Sequence, residues 1–323
     1  MLIGGICSST EIWGGVRRYF EIGNCLVDDG HDYHFICMHK TRRPWVDFKG
    51  KIVSIRDINK YNYDILFTGT WESFPVFLQA KANKKVVIVV SNFYTDKYVE
   101  LFKSGAQDYL WIGVSHNWQS QFMGSGITGY TCPGGVNTNF FSPNYNLRKE
   151  NPIRISFYGQ KYDKSDRARE ALDYVELERQ LLKVYAEVGD EIEIVAFDSK
   201  ALDYEHPIRV KVNNNQNDLR ELLQSSHLVV SGKRKGCWDN VVAESFACGV
   251  PAVSYYDGTV DFLEDGINGK VVVEADDVSK NIGWFLDNKD RLLACGINAR
   301  KKIEEFSWEI YTKNFMRIIE ESC

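Results

Sequence analysis

Residues 231–258 read SGKRKGCWDNVVAESFACGVPAVSYYDG, and the fold turns on them. Apolar runs flank a short segment here: Leu228–Ser231 before it and Ala252–Tyr255 after it. Between them Asp239 or Asn240 can cap a helix, Gly249 stops it, and Pro251 prevents its return. The spacing therefore predicts a helix of about nine residues between two strands, with its N-terminus at the carboxyl edge of a sheet. In open α/β sheets that edge is where ligands bind. Glu244 stands one turn in from Asn240, and helical side chains lean toward the N-terminus. Its carboxylate can meet a ligand there and accept both hydroxyls of a ribose, through charge-assisted hydrogen bonds worth about 1.5–3 kcal/mol each. A plainer role, favouring the helix dipole from the first turn, is equally open on spacing alone.

Working outward, the same rhythm extends in both directions. Toward the centre of the chain come expected strands at 154–158, 191–196 and 208–212, with helices at about 167–187 and 218–225. The chain opens on a strand over Leu2–Cys7, a Ser/Gly loop and Gly14-Gly15. A helix then carries Val16, Tyr19, Phe20, Gly23, Leu26 and Val27 on one face. Strands follow at 33–38, 64–68, 85–90 and 109–114, each a continuous apolar run of the kind covered on both faces in parallel sheets. The stretch FFSPNYNLRKENP (140–152) is polar and proline-flanked and reads as a linker. The expected fold class is α/β, with two Rossmann-like domains facing each other across a cleft. They span 1–150 and 151–308, and a final helix over 309–323 packs back onto the first.

Composition narrows the function. The chain has 323 residues, 44% apolar and 26% charged, an ordinary globular balance. A formal charge of −5 argues against a nucleic-acid partner, which needs a basic surface. No apolar run reaches the ~18 residues of a spanning helix, and MLIGGIC is too short for a secretory leader. Eight scattered cysteines lack a C-x-x-C pair, which fits buried thiols in a reducing, cytoplasmic setting rather than disulfides or a metal site. GSGITG (124–129) has the form of a dinucleotide fingerprint, but Pro133, Gly134 and Gly135 follow too closely for a helix, so it reads as a loop. HKTRRPWVDFK (39–49) mixes cations with aromatics; an exposed loop and a contact with an anionic acceptor or membrane surface are both open.

The stretch first quoted resembles the signature of the retaining family 4 glycosyltransferases of the GT-B fold, roughly E-G-x-x-x-x-x-x-E-A-x-A-C-G-x-P-V-V. Trp238, Asn240, Val241, Val242, Glu244, Ala247, Cys248, Gly249 and Pro251 fall on it in register. Gly258 and the run Asp265, Gly266, Asn268, Gly269 resemble the glycine loop and turn that follow. NARKKIEEFSWEIYTKNF (298–315) resembles the closing segment, Gly14-Gly15-Val16 through Gly30-His31 the opening one, and PGGVNT (133–138) through Phe141 the junction. The likeness spans nearly the whole chain, in order.

That resemblance implies a sugar transfer from a nucleotide sugar to a glycan, lipid or other hydroxyl acceptor, without cofactor or metal. It implies that Glu244 holds the donor ribose, with Trp238, Asp239, Asn240 and Val241 around it. The helix N-terminus and the Gly258 loop would hold sugar and pyrophosphate, while Gly14 and Gly15 would admit backbone amides to the donor. The chain also departs from the pattern. The first glutamate of the signature is Gly236 here, and the usual Gly-Arg after the second domain's first strand is Gly159-Gln160. Lys161 and Lys164 lie nearest the missing arginine and are expected to take over its diphosphate charge, helped by the cluster Lys233, Arg234, Lys235. The catalytic set expected on these grounds is Lys164, Lys161 and Gly15. Two other readings stay open: a sugar-nucleotide epimerase of the same fold using His116 or His31, and a sugar-nucleotide-binding protein without turnover.

Overall fold

The computed structural model describes the chain except for residues 11–13, 40–45, 91–94, 160–167, 199–203, 205, 214, 235 and 323; side chains are described in the long central helix from residue 175 onward. By internal contacts the chain forms two units. One comprises Met1–Gly135 with Phe306–Cys323, the other Val136–Glu305.

The first unit is built from β1 (Leu2–Cys7), α1 (Gly14–Asp28), β2 (Asp32–Cys37), β3 (Lys51–Ser54), β4 (Tyr63–Thr68), α2 (Phe74–Gln79), β5 (Ala82–Val89), α3 (Thr95–Lys103), β6 (Leu110–Gly113) and β7 (Tyr130–Thr131). Its described strands pair in parallel in the order β3-β2-β1-β4-β5-β6-β7. Burial along most of β1, β2 and β4 follows from their largely apolar runs, broken by Asp32 and His34 in β2 and by Asp64 in β4. The short β3, with one fully buried residue, has too little pattern to be read from sequence. The GSGITG segment is irregular as expected, with Gly124 and Gly126 at φ +80° and +84°.

The second unit contains β8 (Ile153–Tyr158), α4 (Ala168–Val188), β9 (Ile192–Asp198), β10 (Ile208–Val212), α5 (Gln216–Ser225), β11 (Leu228–Ser231), α6 (Asn240–Ala247), β12 (Ala252–Tyr255), β13 (Gly269–Val272), α7 (Asp277–Leu286) and α8 (Asp290–Ile303). Its described strands are again parallel, in the order β10-β9-β8-β11-β12-β13. Both sheets reverse direction of growth after their first strand, between β1 and β4 and between β8 and β11. That topological switch is the ligand crevice of doubly wound folds.

The final helix, α9 (Trp308–Glu321), belongs to the first unit. Its buried face carries Trp308, Tyr311, Phe315, Ile318 and Ile319. Phe315 meets Phe67 edge-on at 5.6 Å, and Lys84 Nζ donates to the Ile319 carbonyl at 2.5 Å. Arg18 of α1 is buried with its guanidinium 5.1 Å from the Trp308 ring centroid and 5.0 Å from that of Tyr311. A desolvated cation over aromatic faces contributes about 2 kcal/mol, enough to matter for a single helix.

The stretch expected as a linker is instead packed onto the second unit. Phe141 is fully buried, and Gln224 Nε2 donates to the Ser142 carbonyl at 2.6 Å. Arg148 Nη2 reaches the carbonyls of Cys248 and Gly249 at 2.8 and 3.0 Å. Part of its polarity serves these specific bonds, while Asn146, Lys149, Glu150 and Asn151 stay exposed. Among the described residues all seven cysteines are free thiols, and six are buried. Burial pushes Cys7, Cys132 and Cys248 up to about 12, which leaves them unreactive.

Candidate functional site

At the switch point of the second sheet, β8 runs out through Tyr158 to Gly159, whose N–H donates to the Phe197 carbonyl at 3.0 Å. Gln160, Lys161 and Lys164 follow but lie outside the described residues. Its neighbour β11 runs out through Ser231 into Gly232-Lys233-Arg234 and on to α6. The parallel pair β8 and β11 therefore end side by side at the same edge.

The N-terminus of α6 is held by Asp239. Its Oδ1 accepts from the N–H groups of Val241 and Val242 at 3.1 and 3.3 Å, and Ser231 Oγ donates to Oδ2 at 2.5 Å. Asp239 N–H in turn donates to the Gly258 carbonyl at 2.8 Å. This changes the expected use of the helix end: two of its free N–H groups are taken by an internal carboxylate, so they are not open to a pyrophosphate. The cap that makes the sequence start a helix here is also the group that occupies its dipole.

The other end is pinned by two arginines. Arg148 takes the carbonyls just named, and Arg300 Nη1 donates to those of Ala247, Thr138 and Phe141 at 2.8, 3.0 and 3.0 Å. Cations at a helix C-terminus satisfy its orphan carbonyls and favour its dipole. Gly249 at φ +68° ends the helix without a Cβ penalty. Thus α6 is fixed at both termini, and its side chains cannot drift. Asp239→Ala is expected to lower stability by about 1–2 kcal/mol, read as a fall in unfolding midpoint, and Asp239→Asn by less; equal midpoints for both variants and wild type would refute the cap.

The remaining expected residues distribute as follows. Glu244 is 5% exposed in the second turn of α6. Trp238 is buried, its ring 4.7 Å from that of Phe262, which makes it part of the core. Asn240 and Val241 are half-buried on the first turn. Lys233 Nζ donates to the Trp238 carbonyl at 3.1 Å, and its side chain crosses Gly236, where a Cβ would stand 2.4 Å from Lys233 Cε. The absent glutamate thus leaves room that a lysine fills, a substitution no single motif shows. Arg234 stacks on Tyr255 at 5.4 Å; Lys235 lies outside the described residues. In the first unit Gly14 and Gly15 open α1, both exposed, and a Cβ on Gly15 would meet nothing within 4 Å. His31 directly precedes β2 and so lies at the amino edge of its sheet, away from the ligand-binding edge. His116 is exposed beyond β6. Of the stretch 39–49, residues 40–45 lie outside the described residues. No described helix is long and apolar enough to cross a membrane.

Fold and site order define a class: two parallel-sheet α/β domains of the GT-B kind. Over 99% of its length the chain superposes on 98% of sucrose-phosphate synthase from Thermosynechococcus elongatus, with a TM-score of 0.80 at 13% identity. It covers 98% of its length against 99% of HepE from Anabaena, crystallised in complex with UDP and glucose, with a TM-score of 0.77 at 12% identity. A glycosyltransferase from Rickettsia africae gives 0.71 at 17% identity, over 99% and 98% of the two chains. No curated protein matches the chain by sequence. Residues 186–302, about a third of the chain and running from the end of α4 through α8, match the model of the family described as Glycosyl transferases group 1. The matched region is that of a transferase domain.

Proposed function

We propose that this chain is a retaining glycosyltransferase that moves a sugar from a nucleoside diphosphate sugar to a hydroxyl of a glycan or lipid-linked acceptor. The observation that carries the reading is a nearly buried carboxylate, Glu244, on a helix pinned at both ends at the switch point of the second sheet. On the resemblance, this carboxylate accepts the vicinal hydroxyls of the donor ribose in charge-assisted hydrogen bonds.

Charge is the second requirement. A departing nucleoside diphosphate develops about two negative charges, whereas a helix N-terminus offers about +0.5. With Asp239 capping α6, side-chain cations have to supply nearly all of it. Lys161 and Lys164 are assigned this role, with Arg234 and Lys235 in the neighbouring loop. Gly159 and Gln160, which precede the lysines in sequence, and Asn240 and Val241 are assigned to the donor on the resemblance. Gly14 and Gly15 are assigned to the donor on the resemblance, with the open space at Gly15 in support. No enzyme nucleophile is required, because the leaving phosphate can take the acceptor proton on the same face of an oxocarbenium-like sugar.

The test is incubation with a panel of sugar nucleotides, starting from UDP-sugars, while following free nucleoside diphosphate and the anomer released. Release with the α-configuration kept is the expected result; C2 inversion would make the chain an epimerase, and binding without release a non-catalytic binder. Replacing Lys161 and Lys164 together by methionine is expected to abolish turnover, and full activity in that variant would rule out their role.

A further inference from the structure

A second site lies at the opposite edge of the same sheet. The amino ends of β8, β9, β10 and β11 converge on a cavity of about 450 Å³, lined among others by Lys149, Arg154, Tyr185, His206, Arg209 and His227. That volume falls in the range of small-molecule sites, about 300–1,000 Å³. We propose that it binds a small phosphate ester, independently of the donor site and of the transferase reading.

The argument begins with charge. Arg154 Nε and Arg209 Nη1 both bond Glu193, at 2.7 and 2.8 Å, so one carboxylate serves two guanidiniums. Arg154 Nη1 spends its other bond on the neutral Ser225 Oγ, at 2.6 Å. The second lining carboxylate, Asp190, accepts from Tyr185 Oη at 2.7 Å. Lys149 is exposed at the rim and has no ion pair among the described residues. Three cations against two carboxylates leave the lining positive by one charge, before Arg148 just behind it is counted; Lys289 there is matched by Glu191 at 3.9 Å. His227 registers that field. Its pKa is lowered first by burial and then by Arg148, Arg154 and Lys289, against a raising bond to the Lys149 backbone.

The rest of the cavity fits the organic part of such a ligand. Tyr185 and His206 meet edge-on at 5.9 Å and, with Pro152 and Pro207, give one wall apolar character. The space far exceeds a bare phosphate, and forked guanidiniums match phosphate oxygens in pairs. A phosphate ester carries about −1.5 to −2 charges at neutral pH, which the surplus at this edge complements.

Glucose 6-phosphate is a suitable probe, with glucose as control, in thermal-shift and calorimetric titrations of wild type and the double variant Lys149→Gln/Arg209→Gln. Both side chains are exposed, Arg209 by 76%, so the variant keeps the fold. Millimolar glucose 6-phosphate is expected to stabilise the wild type, the double variant to need at least tenfold more, and the response of both to UDP to be identical. Equal protection by glucose, undiminished protection of the variant, or displacement of the phosphate ester by UDP would each overturn the proposal. Loss of the UDP response alone bears on the donor site and leaves this one standing.

Discussion

Glu244→Gln should weaken binding of a nucleoside diphosphate such as UDP by roughly 100-fold, while unfolding stays within a few degrees of wild type. Glutamine is isosteric and keeps one neutral acceptor, so the packing around this 5%-exposed side chain persists. What goes is the charge on two hydrogen bonds, at about 1.5–3 kcal/mol each, and about 2.7 kcal/mol is a hundredfold in affinity. Titration calorimetry of both proteins measures it directly. A ribose contact also predicts that a nucleotide lacking its ribose hydroxyls binds wild type and variant alike. Equal affinities of the two proteins for UDP would remove Glu244 from the donor site.

Gly135→Ala is expected to have the largest effect on stability. The glycine has φ +123°, where an L side chain is strained, and an added Cβ would lie 2.0 Å from the Trp308 ring. Backbone strain of about 1–3 kcal/mol and overpacking of about 1–3 kcal/mol together correspond to a fall of roughly 10 °C in the unfolding midpoint. Gly15→Ala is the matched control, since its Cβ meets nothing within 4 Å and should leave the midpoint unchanged. A midpoint for Gly135→Ala equal to that of the control would show that the ring yields freely.

Gly135 and Trp308 also mark what sequence reading reaches. Each stood in a separate recognisable segment, PGGVNT and FSW, far apart in the chain. That one exists to make room for the other emerges only when α9 is placed on the first unit. Strands β1, β4, β11 and the second half of β5 were legible because a doubly covered segment is mostly apolar. Helix α6 was legible because a cap, a stop and a proline bracket it. β3 and β13 were not, because strands of four residues with three and two half-buried or exposed positions carry little period. At the site, the position of Glu244 on its helix could be read from spacing. The choice of Asp239 over Asn240 as the cap could not, nor could the bond it receives from Ser231 of the preceding strand. Equally hidden was the exchange at Gly236, where a missing side chain is matched by Lys233 three residues earlier.

The chain enters its first unit, leaves it at Gly135, and re-enters only at Phe306. On a ribosome, Arg18 and the apolar floor beneath α9 are therefore translated early yet stay uncovered until residues 308–319 emerge. By then the whole second unit has already been made. The order of maturation is thus inverted, the later half completing first, and any stalled product lacking its last helix presents a bare aromatic and cationic face to chaperones and proteases.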